Sequence, residues 1–342
     1  VINGAMNVAQ RGTSVTGIGT SKNNAYHTVD RFRLAFNNTD GQVTMTQDSS
    51  APEGFANSIK LACTTADTSI AADEYFFMDT KFEGQNLQTI AKGTSSAKPL
   101  ALSFYVKGNA SATYVVELYD GDNNRNLSNS FSVTTDWQRV EIAIPADTTG
   151  TFDDDNAESL NMAFWLHAGS NFTSGTLDTT WGSNTNANRA VGISSFLDST
   201  SRTFFITGVQ LEVGQNPTTF EHEPFEATLR KCQRFFCQTF NYGTTAANNT
   251  ATNGAFMHGD SASNYEPSVT WRYPVEMNHA PDITLFNPES GSTGQWSAGG
   301  GVVGSAGRAL FIGTSSCVCD NTDTVLAGGN GWRIQLTADC EL

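Results

Sequence analysis

Leu100-Ala101-Leu102-Ser103-Phe104-Tyr105-Val106-Lys107, closed by Gly108-Asn109, is the stretch whose reading decides the fold. Leu100, Leu102, Phe104 and Val106 share one face while Ser103 and Lys107 stand on the other, the period-two alternation of a half-buried strand. The same pattern recurs on the C-terminal side. Tyr114, Val116 and Leu118 lie opposite Glu117, and Val140, Ile142 and Ile144 alternate with Arg139, Glu141 and Ala143. Leu160, Met162, Phe164 and Leu166 make a further run; Phe205, Thr207, Val209, Leu211 and Val213 make the last. Turn signals at Lys107-Gly108-Asn109, Asp120-Gly121-Asp122-Asn123-Asn124 and Pro145-Ala146-Asp147 separate them. No helical pattern intervenes, so an all-β fold is predicted: antiparallel strands packed face to face as a jelly-roll sandwich, not a parallel α/β sheet.

One segment breaks the pattern. Phe225, Leu229, Cys232 and Phe236 are spaced as a helical stripe, with Pro224 before it. Glu221, Glu223 and Glu226 sit near its start and Arg230, Lys231 and Arg234 later, as the helix dipole favours. The predicted organisation is a jelly-roll domain over 1–224, then a short connecting helix and a smaller C-terminal β domain over 225–342. Strands are expected there at Val269–Val275, Ile283–Phe286, Ala309–Ile312, Cys317–Cys319 and Trp332–Leu336. Gly291–Gly307 reads as a long loop or loosely twisted hairpin.

Composition agrees and excludes several functions. Only 15% of the 342 residues are charged, which suits strands and loops better than long solvated helices. A net charge of −15 opposes binding to nucleic acid or to an anionic membrane, which draws on Lys and Arg. No apolar run approaches the ~18–20 residues needed to span a bilayer, so no membrane insertion is expected. No signal peptide is visible, and Val1 in place of an initiating Met points to a processed chain or part of a longer one.

Cys63, Cys232, Cys237, Cys317, Cys319 and Cys340 match no zinc spacing and are too sparse for a disulfide scaffold, so free buried thiols are expected. A bridge from Cys317 or Cys319 to Cys340 is the alternative. Glu117 with Asp120, and the run Asp153-Asp154-Asp155, are the carboxylates to weigh for glycoside hydrolysis. The run reads as a solvated loop. His27, His167, His222, His258 and His279 lack a nucleophile in a recognisable turn. No enzyme, cofactor or metal is expected; Asp120–Asn124 offers calcium-type oxygens but no Glu at the twelfth position. For a sugar, an aromatic ring beside amide and carboxylate groups is the usual recognition chemistry. Trp137 and Trp165 lie in strands and read as core. Trp181, in Asp178-Thr179-Thr180-Trp181-Gly182-Ser183-Asn184, and Trp296, in Gly294-Gln295-Trp296-Ser297, sit in polar surroundings. They are the candidate ligand residues, with packing against a neighbouring subunit as the other reading, favoured for Trp296.

Several blocks resemble a known family. Asn3-Gly4-Ala5-Met6-Asn7-Val8-Ala9-Gln10-Arg11-Gly12-Thr13, followed by Tyr26-His27-Thr28-Val29-Asp30-Arg31-Phe32, is similar to the start of a domain recurring in bacteriophage tail fibres. Trp137-Gln138-Arg139 with Ile142–Gly150 is similar too, as is Ile206-Thr207-Gly208-Val209-Gln210-Leu211-Glu212-Val213-Gly214 running on to Leu229–Phe236. Tyr273–Met277 with Ala280–Thr284 matches the C-terminal part. The pattern departs at Glu223 and Glu276, where the family carries a basic residue. The resemblance implies a virion protein with a carbohydrate-binding-module-like jelly roll, a homotrimer in an appendage, joined to other virion structural proteins and touching a host-surface glycan. Assembly would take place in the host cytoplasm. A head fibre or capsid decoration protein is the first alternative; a soluble lectin-like protein is the second.

Overall fold

The computed structural model describes residues 1–19, 24–244, 253–258, 268–298, 301–321 and 331–342, with backbone alone for 298 and 301–305. They form two compact units: Val1–Ala9 with Thr13–Phe225, and Gln10–Gly12 with Glu226–Leu342.

The first unit is a two-sheet sandwich. Its six-stranded sheet runs β1 (Ser14–Gly19), β4 (Gln42–Asp48), β5 (Ser58–Thr65), β13 (Thr203–Val213), β7 (Leu100–Gly108), β10 (Gln138–Ile144). The seven-stranded sheet runs β12 (Gly182–Ser183), β9 (Arg125–Val133), β8 (Ala112–Asp120), β11 (Glu158–Ala168), β6 (Tyr75–Glu83), β3 (Arg33–Asn37), β2 (Ala25–Tyr26). Every pairing is antiparallel. The alternation explains the architecture: Leu100, Leu102, Phe104 and Val106 meet Tyr114, Val116, Leu118, Leu160, Met162 and Phe164 in one core. Phe104 stands edge-on to both Phe131 and Phe164, with ring centroids 5.1 Å away in each case.

In the first half of β13 the buried face differs from the expected one: Phe204 and Ile206 are buried while Phe205 is not. Across a bulge between Thr207 and Gln210 the core side passes to Val209 and Leu211, as expected. The extra residue shifts the phase by one. Gly208 makes the bulge at φ +63°, and a Cβ there would lie 2.7 Å from Phe55 and 2.9 Å from Tyr105. Gly208→Ala is expected to cost about 2–4 kcal/mol in urea unfolding, from left-handed backbone plus overpacking.

β8 and β11 are buried on both faces. The outward side carries a second small core of Val115, Ala163, Trp165, Ala168, Phe172 and Ala190. Its cover is the segment after β11, which includes the one-turn helix α1 (Ser170–Thr173). Trp165 is therefore core, as its strand position implied. Trp137 instead lies half-buried on the outer side of the six-stranded sheet, beside Phe205 and under the Lys107 ammonium.

The second unit contains α2 (Phe225–Gln233) and the strands β14 (Phe236–Gln238), β15 (Phe256–His258), β16 (Ser268–Arg272), β17 (Asp282–Phe286), β18 (Gln295–Ala298), β19 (Gly301–Leu310), β20 (Ser316–Asn321) and β21 (Trp332–Asp339). β21 is the hub, pairing with β14, β15, β17 and β18. The helical stripe is shorter than predicted: Phe236 has already entered β14, and Phe225 is exposed. The stretch read as loop or hairpin contains the paired strands β18 and β19; residues 299–300 lie outside the described residues. All six cysteines are free and buried. Gln10–Gly12 belongs to this unit through Gln10, which donates to the Phe236 carbonyl at 2.8 Å, and through Arg11. The Arg11 guanidinium lies 3.7 Å from the Phe236 ring centre and pairs with Asp339 at 3.0 Å and Glu341 at 3.3 Å.

Candidate functional site

The outer face of the seven-stranded sheet carries polar and aromatic groups in close register. Strand register places its side chains in rows. The middle row runs Tyr26, Arg33, Asp79, Ala163, Glu117, Ser128 from β2 to β9. The row beside it is Lys81, Asn161, Tyr119, Asn126. On the other side Phe77, Trp165 and Val115 form the aromatic row under the α1 segment.

Two fully buried carboxylates flank Ala163, whose methyl group leaves the floor between them low. Arg33 donates to Asp79 in a fork, Nε at 2.9 Å and Nη2 at 2.6 Å, and Asn161 adds Nδ2 at 2.7 Å. Arg189 grips Glu117 in the same way, Nε at 2.7 Å and Nη2 at 2.8 Å, and the Trp165 indole N–H donates to it at 2.9 Å. Such forked pairs hold both planes in one orientation. Burial works to lower the Arg33 and Arg189 pKa values, but Asp79 and Glu117 outweigh it and hold both guanidinium groups above their ordinary range. Arg189 also lies over the Trp165 and Tyr119 rings, at 4.9 and 5.5 Å. Among the described residues neither guanidinium uses Nη1 in a hydrogen bond, so each keeps donors for another partner.

The face can therefore offer a hydroxylated ligand fixed N–H donors, the Asn161 amide and the half-buried Tyr119 ring. Asp79 and Glu117 stand two strands apart, about 9–10 Å at the usual strand spacing. Both are committed to an arginine and a second donor.

The sequence candidates fall elsewhere. Trp181 is half-buried just before β12; its N–H donates to the Pro145 carbonyl at 3.1 Å, and its ring lies 5.3 Å from the Lys92 ammonium. That ammonium is buried and surrounded by oxygen: Asp120 at 2.5 Å, Asp147 at 3.1 Å, and the Thr149 and Gly150 carbonyls at 2.9 Å each. Trp296 is not in a polar loop but inside the second unit, 0% exposed in β18, with its N–H donating to the Asp320 carbonyl at 3.0 Å. Its neighbours in sequence are small and polar because they line the other side of a Gly-rich hairpin, which disguised a core position. Glu117 and Asp120 are not brought together: one serves Arg189, the other Lys92 and Asn123. Asp153, Asp154 and Asp155 are exposed. Sequence reasoning missed Arg33, Asp79, Asn161 and Arg189, although Glu117 between apolar neighbours was a visible sign that the far face carries more than solvent.

No protein-family model and no curated protein matches the chain. No helix among the described residues is long and apolar enough to cross a membrane. Solved structures do match. A carbohydrate-binding module of family 4 aligns at 11% identity over 63% of this chain and 100% of its own, with a TM-score of 0.31. The family 11 module of the cellulosomal cellulase Lic26A-Cel5E of Clostridium thermocellum aligns at 14% identity over 60% and 99%, TM-score 0.30. The enzymatically active domain of tailspike protein 4 of bacteriophage CBA120 aligns at 13% identity over 54% of this chain and 19% of that one, TM-score 0.31. At these values neither the carbohydrate named for the modules nor the activity named for the tailspike carries over to this chain.

Proposed function

We propose that this chain is a non-enzymatic structural subunit of a bacteriophage appendage, a tail fibre in the first instance, that engages host-surface glycans as a homotrimer in the virion. The observation that carries the glycan half is the outer face of the seven-stranded sheet, where forked Arg–carboxylate pairs, Asn161 and Tyr119 lie in register across neighbouring strands. The phage half is supported by the ordered sequence blocks that resemble tail-fibre domains. Weak contacts per site would gain strength because many copies meet one cell.

The test is affinity electrophoresis of the purified chain through gels containing bacterial surface polysaccharides, with Tyr119→Ala as the comparison. The wild type is expected to be retarded by at least one polysaccharide and Tyr119→Ala to bind about tenfold more weakly, at an unchanged melting temperature. Retardation by none, or an unaffected Tyr119→Ala, would sink the glycan reading at this face. Light scattering separates the assemblies: a mass three times 36.7 kDa supports the appendage, whereas a stable monomer favours the lectin-like alternative or a decoration protein that assembles only on the particle.

A further inference from the structure

Three side chains converge in the interior of the first unit: Asp67 and Glu74, from the two ends of the β5–β6 connection, and His167 near the end of β11. Asp67 and Glu74 are each 5% exposed and His167 0%. One ligand-capable atom from each lies within 4.8 Å of those of the other two. We propose that these residues bind one divalent transition-metal ion of the zinc type, with His167 Nε2 and the two carboxylates as its protein ligands.

The distances favour an ion over a hydrogen bond. His167 Nε2 and Glu74 Oε2 are 3.4 Å apart. That exceeds the usual N–H···O separation of about 2.7–3.2 Å. It equals the edge of a tetrahedron, about 3.3–3.4 Å, whose metal–ligand bonds are about 2.0–2.1 Å long. Glu74 supplies the second indication. Its backbone is anchored, the carbonyl accepting from Gly169 N at 2.8 Å, but its carboxylate meets only His167. Its other oxygen makes no hydrogen bond to any of the described residues, which leaves it open to a cation.

The other two ligands are oriented from behind. His167 Nδ1 is 2.8 Å from Ser195 Oγ; with the ring proton donated there, Nε2 turns its lone pair to the cluster. Asp67 Oδ2 accepts from the Thr39 hydroxyl at 2.6 Å and from Asp40 N at 2.9 Å, and Oδ1 from Ser69 N at 3.3 Å. One imidazole with two carboxylates is a donor set for zinc and its first-row neighbours; calcium takes six to eight oxygens. No sequence motif announces it, because His167 lies some ninety residues beyond Asp67 and Glu74.

The full chain, dialysed against chelator and then titrated with zinc chloride, tests this by calorimetry and thermal melting. The expected result is one tight zinc per chain and a melting temperature raised by about 5 °C or more. Cobalt(II) in zinc's place, with one water completing the coordination, should give the strong visible absorption of a four-coordinate site. Glu74→Gln, which keeps size and shape, and Glu74→Gln with His167→Gln should abolish both signals. No zinc uptake by the wild type would overturn the proposal, as would uptake and melting shifts that the Gln variants share.

Discussion

Lys92→Met should lower the stability of the first unit by about 3–5 kcal/mol in urea unfolding, among the largest single losses available to it. The side chain is 3% exposed, and its ammonium is the counter-charge for Asp120 and Asp147 at 0% and 6%. Methionine fills the space but leaves two buried carboxylates facing two backbone carbonyls with Arg125 as the remaining cation. The pH dependence gives an independent check. Burial raises the Asp147 pKa, but the Arg125 fork, the Thr149 N–H and Lys92 outweigh it, so its folded value lies below 3.8. The unfolded chain then takes up this proton first as acid is added, so the contribution of Asp147 is complete above about 3.8 and is lost as pH falls through the folded value. The gap between wild type and Lys92→Met should narrow over that same acid range. A gap unchanged from neutral pH to pH 3 would mean that the loss comes from packing and not from charge.

Trp296→Ala should cost the second unit about 3–5 kcal/mol. The ring is among the largest fully buried side chains, and Gly307 is bare beneath it: a Cβ there would sit 2.7 Å from the indole. No neighbour can collapse into the space without moving the β18–β19 hairpin, so loss of near-ultraviolet circular dichroism in this unit is the expected readout. Trp181→Ala removes a half-buried ring with one hydrogen bond and should cost no more than about 1–3 kcal/mol. If Trp296→Ala melts like wild type, the indole is not the core element described here.

Local alternation made most of the sandwich legible. Leu100 to Val106 and Leu160 to Leu166 each commit one face to the core, and antiparallel pairing follows from the short turns between strands. What escaped is what depends on partners distant in sequence. The phase of β13 turned on a bulge at Gly208, and a glycine inside a strand marks such a site without saying which neighbour moves. Glu117 could be seen to oppose the core face of β8, but Arg189 sits in a polar loop whose sequence says nothing of its destination. Arg33 and Asp79 meet only because β3 and β6 are neighbours. Trp296 was misplaced for a related reason: its small neighbours resemble a loop, and burial came from strands far along the chain.

Gln10–Gly12 has a consequence for how the molecule would come apart. A protease cut at Phe225–Glu226 would sever the main chain without freeing the C-terminal fragment, because the N-terminal fragment still inserts Arg11 between the Phe236 ring and the carboxylates of Asp339 and Glu341. The nicked protein should run as one species until denatured. By the same reasoning, a fragment expressed from residue 226 onward lacks that arginine and the ion pairs it makes with Asp339 and Glu341.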